Sequence, residues 1–229
     1  MASQPEVTVI IPNYNGKKLL ENCIQTLERQ TCTDFKLLVV DNGSDDGSTE
    51  VTSSLDLTML ALKENTGFCG AVNEGIRRAD TPYVILLNND TEVITAAWLE
   101  EMVMYAQQKR VGCVGAKLLY PDDTVQHAGV GFGIGGVAGH LHKYFPATSD
   151  GYMGRLNYVQ DVYGDTAACL LIRRAVYNEV HGLDESYAVA FNDVDFCVRV
   201  REAGYTNVFT PFAQLYHYES KSRGMEDNP

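Results

Sequence analysis

The sequence has no apolar run that approaches the roughly 18 residues a membrane-spanning helix requires. Its first six residues are polar, and they lack the apolar core of a secretory signal peptide. We therefore expect a soluble, cytoplasmic protein. The last ten residues, SKSRGMEDNP, contain no capped element, so one expectation is that this sequence is a fragment of a longer chain.

Positive charge is scarce, with 18 Lys and Arg against 30 Asp and Glu and a formal net charge of −12. Nonspecific nucleic-acid binding needs clustered positive charge to displace the counterions of the phosphates, so this composition argues against it. An anionic ligand is still possible, because one divalent cation reverses the local sign of a site.

The cysteines have no CxxC or other metal-ligand spacing, and most lie inside apolar runs. We interpret them as reduced core residues of a cytosolic protein. Hydrophobic residues make up 45% of the 229 positions, so one large α/β domain can bury a substantial core without disulfides or structural metals. The six positions are Cys23, Cys32, Cys69, Cys113, Cys169 and Cys197.

Apolar runs alternate with amphipathic segments in the first half of the chain. This order predicts a doubly wound, mostly parallel sheet with helices on both faces, which binds ligands outside the carboxyl ends of its strands. The predicted strands are Val7 to Ile11, Lys36 to Val40, Leu57 to Leu62 and Tyr83 to Leu87. The predicted helices are Lys17 to Gln30, Phe68 to Ala79 and Trp98 to Gln108. Three predicted strand ends carry polar residues: Asn13-Tyr14-Asn15, Asp41-Asn42 and Asn88-Asn89-Asp90.

The second half of the chain has a different pattern. Gly129 to Gly139 is rich in glycine, and Pro146 to Tyr158 is polar without a clear period. A buried strand is predicted at Ala167 to Ile172 and a helix at Asn192 to Ala203. Since no linker separates the halves, we expect residues 111–229 to form a mixed extension of the same domain that covers the sheet edge.

Carboxylates at strand ends are candidates for binding chemistry. Asp90 can hold a divalent cation whose other ligands are phosphate oxygens. It can equally cap the segment that follows it. Asp41 ends the second strand, where it can accept hydrogen bonds from a base or ribose, whereas Asp45 and Asp46 fit an Asx-rich turn.

Asp193 and Asp195 lie in the first turn of a predicted helix, whose dipole favours an ionised carboxylate by roughly 0.3–1 kcal/mol. A carboxylate held there can act as a general base toward a hydroxyl, or can simply complement the helix end, and spacing does not decide between these roles. His217 alternates with two tyrosines. A lone histidine is more often structural, although a neutral imidazole is also a good third ligand for Mn²⁺-like ions.

Common motifs of other enzyme classes are absent or misplaced. Gly131-x-Gly133-x-x-Gly136 matches the dinucleotide-binding string but does not follow the first strand, so we reject NAD binding. The sequence has no GxxxxGK[ST] phosphate loop and no serine in a GxSxG turn.

Together, seven strings resemble the family-two glycosyltransferases of GT-A fold, in particular the bacterial rhamnosyltransferase-like branch. Any one match is weak, but all seven follow the family's order across nearly the whole chain. They are TVIIPNYNG (8–16), LLVVDNGSDDGS (37–48), ENTGFCGAVNEGI (64–76), YVILLNNDTEV (83–93), GDTAACLLIRR (164–174), GLDESYAVAFNDVDFCVRVREAGY (182–205) and LYHYESKSRG (215–224).

The resemblance implies one catalytic domain, with a nucleotide-binding half at residues 1–110 and an acceptor-side half at 111–229. It implies that Asp41 binds the base or ribose. The residues that would line the base are Pro12, Asn13 and Tyr14, and those that would lie beside the nucleotide are Asn65, Gly67 and Asn73.

Asn88-Asn89-Asp90 stands where the family has its D-x-D motif. The resemblance implies that Asp90 ligates Mn²⁺ or Mg²⁺ and that His217 is the third metal ligand. Asn88 departs from the usual Asp. It keeps a hydrogen-bonding oxygen but loses the charge, which implies lower metal affinity or a contact to ribose.

Asp193 falls on the second position of the family's E-D motif, the general base, while Asn192 replaces the acid before it and keeps Asp195 as an alternative. The implied reaction is an inverting transfer of a sugar, with rhamnose favoured, from a UDP- or dTDP-sugar to a glycan or lipid-linked acceptor. Peripheral contact at the inner face of the membrane would accompany a lipid-linked acceptor.

Two alternatives remain. A nucleotidyltransferase would need a longer Gly- and Lys/Arg-rich loop than Asn13 to Lys18 after the first strand. A non-catalytic module that binds nucleotide sugars would tolerate loss of the base, and the intact Asp90, Asp193 and His217 argue against it.

Overall fold

One ten-stranded mixed sheet runs through the residues that this computed structural model describes, 6–187 and 190–219. Parts of two resembling strings, 188–189 and 220–224, lie outside the described residues. The strands are β1 Val7–Asn13, β2 Lys36–Asp41, β3 Asp56–Ala61, β4 Tyr83–Leu87, β5 Thr91–Val93, β6 Val111–Leu119, β7 Val125–His127, β8 Val130–Phe132, β9 Ala138–His140, β10 Gln160–Val162, β11 Cys169–Arg173 and β12 Thr206–His217. The α-helices are α1 Lys17–Leu27, α2 Gly67–Arg78, α3 Trp98–Ala106, α4 Arg174–Glu179 and α5 Asn192–Glu202.

The main path through the sheet is β10-β12-β6-β11-β4-β1-β2-β3, with β5 paired to β12 and β7 paired to β6. The four strands predicted in the first half are confirmed and run parallel to one another. Three of them are almost wholly buried because helices cover both faces, whereas the edge strand β3 alternates between exposed and half-buried residues. The predicted α/β fold is therefore confirmed.

Helices pack on both faces of the sheet. The buried side chains of α1 follow helical spacing and join a core with Val9 and Ile11. Those of α2 join a second core with Ile10, on the opposite side of β1. Helix α2 lies so close to β1 that a Cβ added at Gly75 would be 2.7 Å from Ile10 Cγ2. The two cores hold β1 rigidly, and with it the strand ends.

The second half of the chain continues the sheet. Strand β11 pairs antiparallel with β4, and β6 lies between β11 and β12. Strand β6 was not predicted from the sequence. The prediction of free core cysteines is confirmed, since all six are unpaired and five are buried. Among the described residues no helix is both long and apolar enough to cross a membrane.

Candidate active site

The polar strand ends meet at one edge of the sheet. Because β1 is parallel to both β2 and β4, their carboxyl ends lie side by side. Asn13 Nδ2 donates to Asp41 Oδ1 at 3.2 Å, and Asn89 Nδ2 donates to Asn13 Oδ1 at 2.7 Å. A cavity of about 620 Å³ lies over this edge.

Ten of the twelve predicted site residues line this cavity. They come from distant segments of the chain that the sheet brings together. The ten are Pro12, Asn13, Tyr14, Asn65, Gly67, Asn88, Asn89, Asp90, Asp193 and His217.

Asp41 and Asn73 do not line the cavity. Asp41 is buried and accepts hydrogen bonds from Asn13 and from the Ser44 N–H, so it holds β1 to the loop after β2. Asn73 donates to Leu183 O at 3.0 Å and accepts from the Tyr177 hydroxyl. Both side chains thus bond to groups of the protein. Neither Asp41, which we predicted to bind the base or ribose, nor Asn73, which we predicted beside the nucleotide, lies on the cavity wall.

Asp90 and His217 form a close pair at the centre of the cavity wall. Strand β5 pairs with β12 so that Thr91 is opposite His217, and this register brings the residue before Thr91 beside the imidazole. Asp90 Oδ1 lies 3.2 Å from His217 Nε2. Asn88 Nδ2 lies 3.2 Å from the same ring nitrogen.

Gln126 and Glu219 determine which nitrogen of His217 carries the proton. The Gln126 amide nitrogen donates to Glu219 Oε2 at 3.0 Å, so its carbonyl oxygen faces His217 Nδ1 at 2.7 Å. Nδ1 must then donate, and Nε2 keeps its lone pair, which is the form a metal ion needs. The Tyr120 hydroxyl also donates to Glu219 Oε2, at 3.0 Å.

This donor set fits a divalent cation. A carboxylate oxygen and an imidazole lone pair 3.2 Å apart suit two ligands of one Mn²⁺-like ion, with substrate phosphates and water filling the other positions. The described residues hold no group of three or more His, Cys, Asp and Glu that could bind a metal, so the described part of the protein would contribute this pair alone.

The structure separates the two candidate general bases. Asp193 lines the cavity, and each of its carboxylate oxygens accepts a backbone N–H, from Ala167 at 3.2 Å and from Val194 at 2.8 Å. Asp195 does not line the cavity, and its Oδ2 accepts from Arg199 Nε at 2.9 Å. Of the two, only Asp193 lies on the wall of the cavity that also holds Asp90 and His217.

Several cavity residues were not predicted. Asn42 lines the cavity and donates to Asn65 Oδ1 at 2.9 Å. Gln126, Glu219 and His140, from the second half of the chain, also line it. The only sequence signal for His140 is its position, one of two histidines that flank the Gly-rich segment. That segment forms the β8–β9 hairpin.

The family model described as Glycosyl transferase family 2 matches residues 8–180. The Sinorhizobium fredii protein y4gI is 44% identical over 100% of this chain and 26% of its own length. The O-antigen biosynthesis protein RfbC of Myxococcus xanthus is 33% identical over 98% of this chain and 18% of its own. The chain thus spans only 26% and 18% of the lengths of these two relatives.

A third relative is the N-acetylglucosaminyl-diphospho-decaprenol L-rhamnosyltransferase of Mycobacterium tuberculosis, 26% identical over 95% of this chain and 78% of its own. Solved structures share the fold. The mannosyltransferase PcManGT from Pyrobaculum calidifontis, in complex with GDP-Man and Mn²⁺, has a TM-score of 0.71 at 19% identity, over 97% of this chain and 59% of its own. GalNAc-T7 with UDP, GalNAc and Mn²⁺ has a TM-score of 0.74 at 15% identity, over 95% of this chain and 44% of its own. With a family match over three quarters of its length and GT-A structural neighbours, this chain belongs to glycosyl transferase family 2.

Proposed function

We propose that this domain transfers a sugar from a nucleotide diphosphate sugar to a hydroxyl of a glycan or lipid-linked acceptor, with inversion at the anomeric carbon. The observation that carries the proposal is that Asp193 lies on the wall of the same cavity as the Asp90–His217 pair. A base and a cation site around one cavity are the two elements that a direct displacement requires.

The nucleotide would lie over the carboxyl ends of β1 and β2. Asn13, Asn42 and Asn65 line the cavity there, and Tyr14, which is 48% exposed, offers a ring for the base. A UDP- or dTDP-sugar is the proposed donor. The rhamnosyltransferase relative supports rhamnose as the sugar.

Asp90 and His217 would hold Mn²⁺ or Mg²⁺, which supplies charge neutralisation for the departing diphosphate. The acceptor oxygen forms a bond to the anomeric carbon as the bond from that carbon to the diphosphate breaks. Asp193 takes the proton of the acceptor hydroxyl. Two backbone N–H groups orient its carboxylate for this step. Because the displacement is direct, one base suffices and the configuration inverts.

A nucleotidyltransferase is the main rival function. Only Tyr14, Asn15 and Gly16 separate β1 from α1, a connection too short to wrap a triphosphate. A non-catalytic binding module is the second rival, and the oriented Asp193 argues against it.

The test begins with a panel of UDP-, dTDP- and GDP-sugars, measured by thermal shift with and without Mn²⁺. Donors that bind are then assayed for slow hydrolysis and for transfer to octyl glycosides, and the anomeric configuration of the product is read by proton NMR. We expect metal-dependent binding and an inverted product. Formation of a sugar nucleotide from a nucleoside triphosphate, retained configuration, or binding without turnover would each overturn the proposal.

A further inference from the structure

A second polar cluster, formed by His127, His140 and Asp165, reaches the wall of the same cavity through His140. His127 ends β7 and is fully buried, whereas His140 ends β9, is half-buried and lines the cavity. Their Nδ1 atoms lie 2.7 Å apart, and the two rings meet edge to face. One of the two nitrogens must therefore donate to the other.

The backbone decides the direction of this hydrogen bond. The Gly129 N–H points at His127 Nε2, at 3.2 Å, so this nitrogen accepts and carries no proton. Neutral His127 then has its proton on Nδ1 and donates it to His140 Nδ1. Neutral His140 must carry its own proton on Nε2. Burial lowers the pKa of both imidazoles to about 4, so both are neutral at pH 7.

Asp165 is the third member of this hydrogen-bonded series, on the side of His127 away from His140. It is fully buried, and its Oδ1 lies 3.3 Å from His127 Nε2. Oδ2 has no hydrogen-bond partner among the described residues. Because His127 Nε2 already accepts from Gly129, an ionised Asp165 would face a lone pair, whereas a protonated Oδ1 shares that lone pair with the Gly129 N–H in a three-centre hydrogen bond, at 3.3 and 3.2 Å. Burial, with the nearby Asp193 charge, raises the pKa of this carboxyl well above its usual range.

The outcome is a directed chain, Asp165 to His127 to His140, which ends in an N–H at the cavity. Among the described residues, nothing accepts a hydrogen bond from His140 Nε2. His140 and Asp193 line the same cavity. A neutral donor on this cavity wall suits a sugar hydroxyl oxygen, which is neutral and accepts hydrogen bonds.

We propose that His140 binds the acceptor: its Nε2–H donates a hydrogen bond to an acceptor sugar hydroxyl, and His127 and Asp165 position that donor. This inference rests on the transferase function proposed above and adds an acceptor-binding residue to it. The chemical class of ligand is a carbohydrate with a free hydroxyl next to the one that reacts.

The first experiment reads the tautomers without any substrate. In protein labelled with ¹⁵N-histidine, long-range ¹H–¹⁵N correlation spectra at pH 7 distinguish Nδ1–H from Nε2–H. We expect Nδ1–H for His127 and Nε2–H for His140, with neither ring becoming charged down to about pH 5. A proton on His140 Nδ1, or a charged ring at pH 7, overturns the proposal.

The second experiment uses transfer to octyl glycosides. Asn at position 140 places its amide near the former Nδ1 and loses the cavity donor, whereas Gln places an amide N–H near the former Nε2. We expect His140→Asn to raise the KM for the glycoside roughly three- to tenfold, since one hydrogen bond is lost, while the donor KM changes less than twofold. His140→Gln should recover most of the loss, and His127→Phe should resemble His140→Asn.

The matched control is His181→Asn, a change at an exposed histidine outside the cavity, which should leave the glycoside KM unchanged. Equal glycoside KM values for His140→Gln and His140→Asn, or an effect confined to the donor KM, overturn the acceptor assignment while the transferase stands. If the wild-type protein transfers to no glycoside, the proposed function fails and the acceptor assignment fails with it.

Discussion

Gln126 Oε1 lies 2.7 Å from His217 Nδ1, and this hydrogen bond leaves the Nε2 lone pair of His217 directed at Asp90, 3.2 Å away. The amide cannot turn over without loss, because its nitrogen donates to the Glu219 carboxylate. A glutamine from β7 therefore fixes the tautomer of the histidine on β12 that we propose as a metal ligand. Partners of this kind fix the tautomer and orientation of ligating histidines in many metal sites.

Gln126→Ala should weaken Mn²⁺ binding by about tenfold or more, because His217 loses the acceptor that holds its proton on Nδ1. The measurement is Mn²⁺ affinity by electron paramagnetic resonance, in the presence of UDP. Gln107→Ala, at an exposed position outside the cavity, is the control and should bind Mn²⁺ as the wild type does. Unchanged Mn²⁺ affinity in Gln126→Ala would show that the tautomer does not depend on this amide.

Asp90→Asn should remove the Mn²⁺ dependence of UDP binding, since the substitution keeps the shape of the side chain but deletes its charge. Calorimetric titration of UDP with and without Mn²⁺ gives the comparison. Glu92→Gln, two residues along on β5 and outside the cavity, changes the same charge and should keep the metal dependence. A Mn²⁺ effect that survives in Asp90→Asn would remove Asp90 from the ligand set.

The first-half strands were predictable because each is an unbroken apolar run covered on both faces. Strand β6 was missed because Gly112, Gly115 and Lys117 interrupt its apolar pattern. The structure explains both glycines. A Cβ at Gly112 would lie 2.5 Å from Val200 Cγ1, and one at Gly115 would lie 2.3 Å from Asp165 Cγ. Each glycine leaves room for a side chain that lies 50 or more positions away in the sequence. A local sequence pattern contains no information about such a contact.

In the candidate site, too, residues in local motifs were predicted and residues defined by long-range contacts were not. Asn88-Asn89-Asp90 and Asn192-Asp193 were found because the first follows a predicted strand and the second begins a predicted helix, and the family resemblance then implied a role for each. Gln126 and His140 were missed because their roles depend on cross-chain contacts, with His217 and with His127. Residues that orient other residues leave little trace in a single sequence.

Asp193→Asn should lower the rate of transfer by about 10²- to 10⁴-fold, the usual contribution of a general base, while Mn²⁺-dependent UDP binding stays close to wild type. Single-turnover transfer and UDP titration together separate chemistry from binding. Loss of UDP binding instead would contradict the assignment of Asp193 as the base.

Asp195→Asn is the matched comparison, two residues away on the same helix. It removes an ion pair with Arg199, 2.7 Å between Oδ2 and Nη2, at partly buried positions. We expect a loss of only about 0.3–0.5 kcal/mol in the free energy of unfolding and nearly full transfer. If Asp195→Asn abolished transfer and Asp193→Asn did not, the two assignments would be reversed.

Asp165→Asn should stabilise the protein at neutral and higher pH. Burial, and secondarily the charge of Asp193, raises the pKa of Asp165 well above its usual range. The folded state thus keeps a proton that the unfolded chain releases above about pH 4, and wild-type stability falls as pH rises toward the folded pKa. Asparagine keeps an N–H donor for His127 and cannot ionise, so it avoids this loss.

The free energy of unfolding in urea, measured at pH 5, 7 and 8, should therefore show the advantage of Asp165→Asn growing with pH. Asp80→Asn provides a control of opposite sign. The Lys36 ammonium bonds the exposed Asp80 and holds its pKa below the usual range, so that substitution should cost stability above pH 4. An advantage of Asp165→Asn that stayed constant with pH would mean that Asp165 is ionised in the folded state. His127 would then have to donate from Nε2 against the Gly129 N–H, and the directed chain to His140 would not exist.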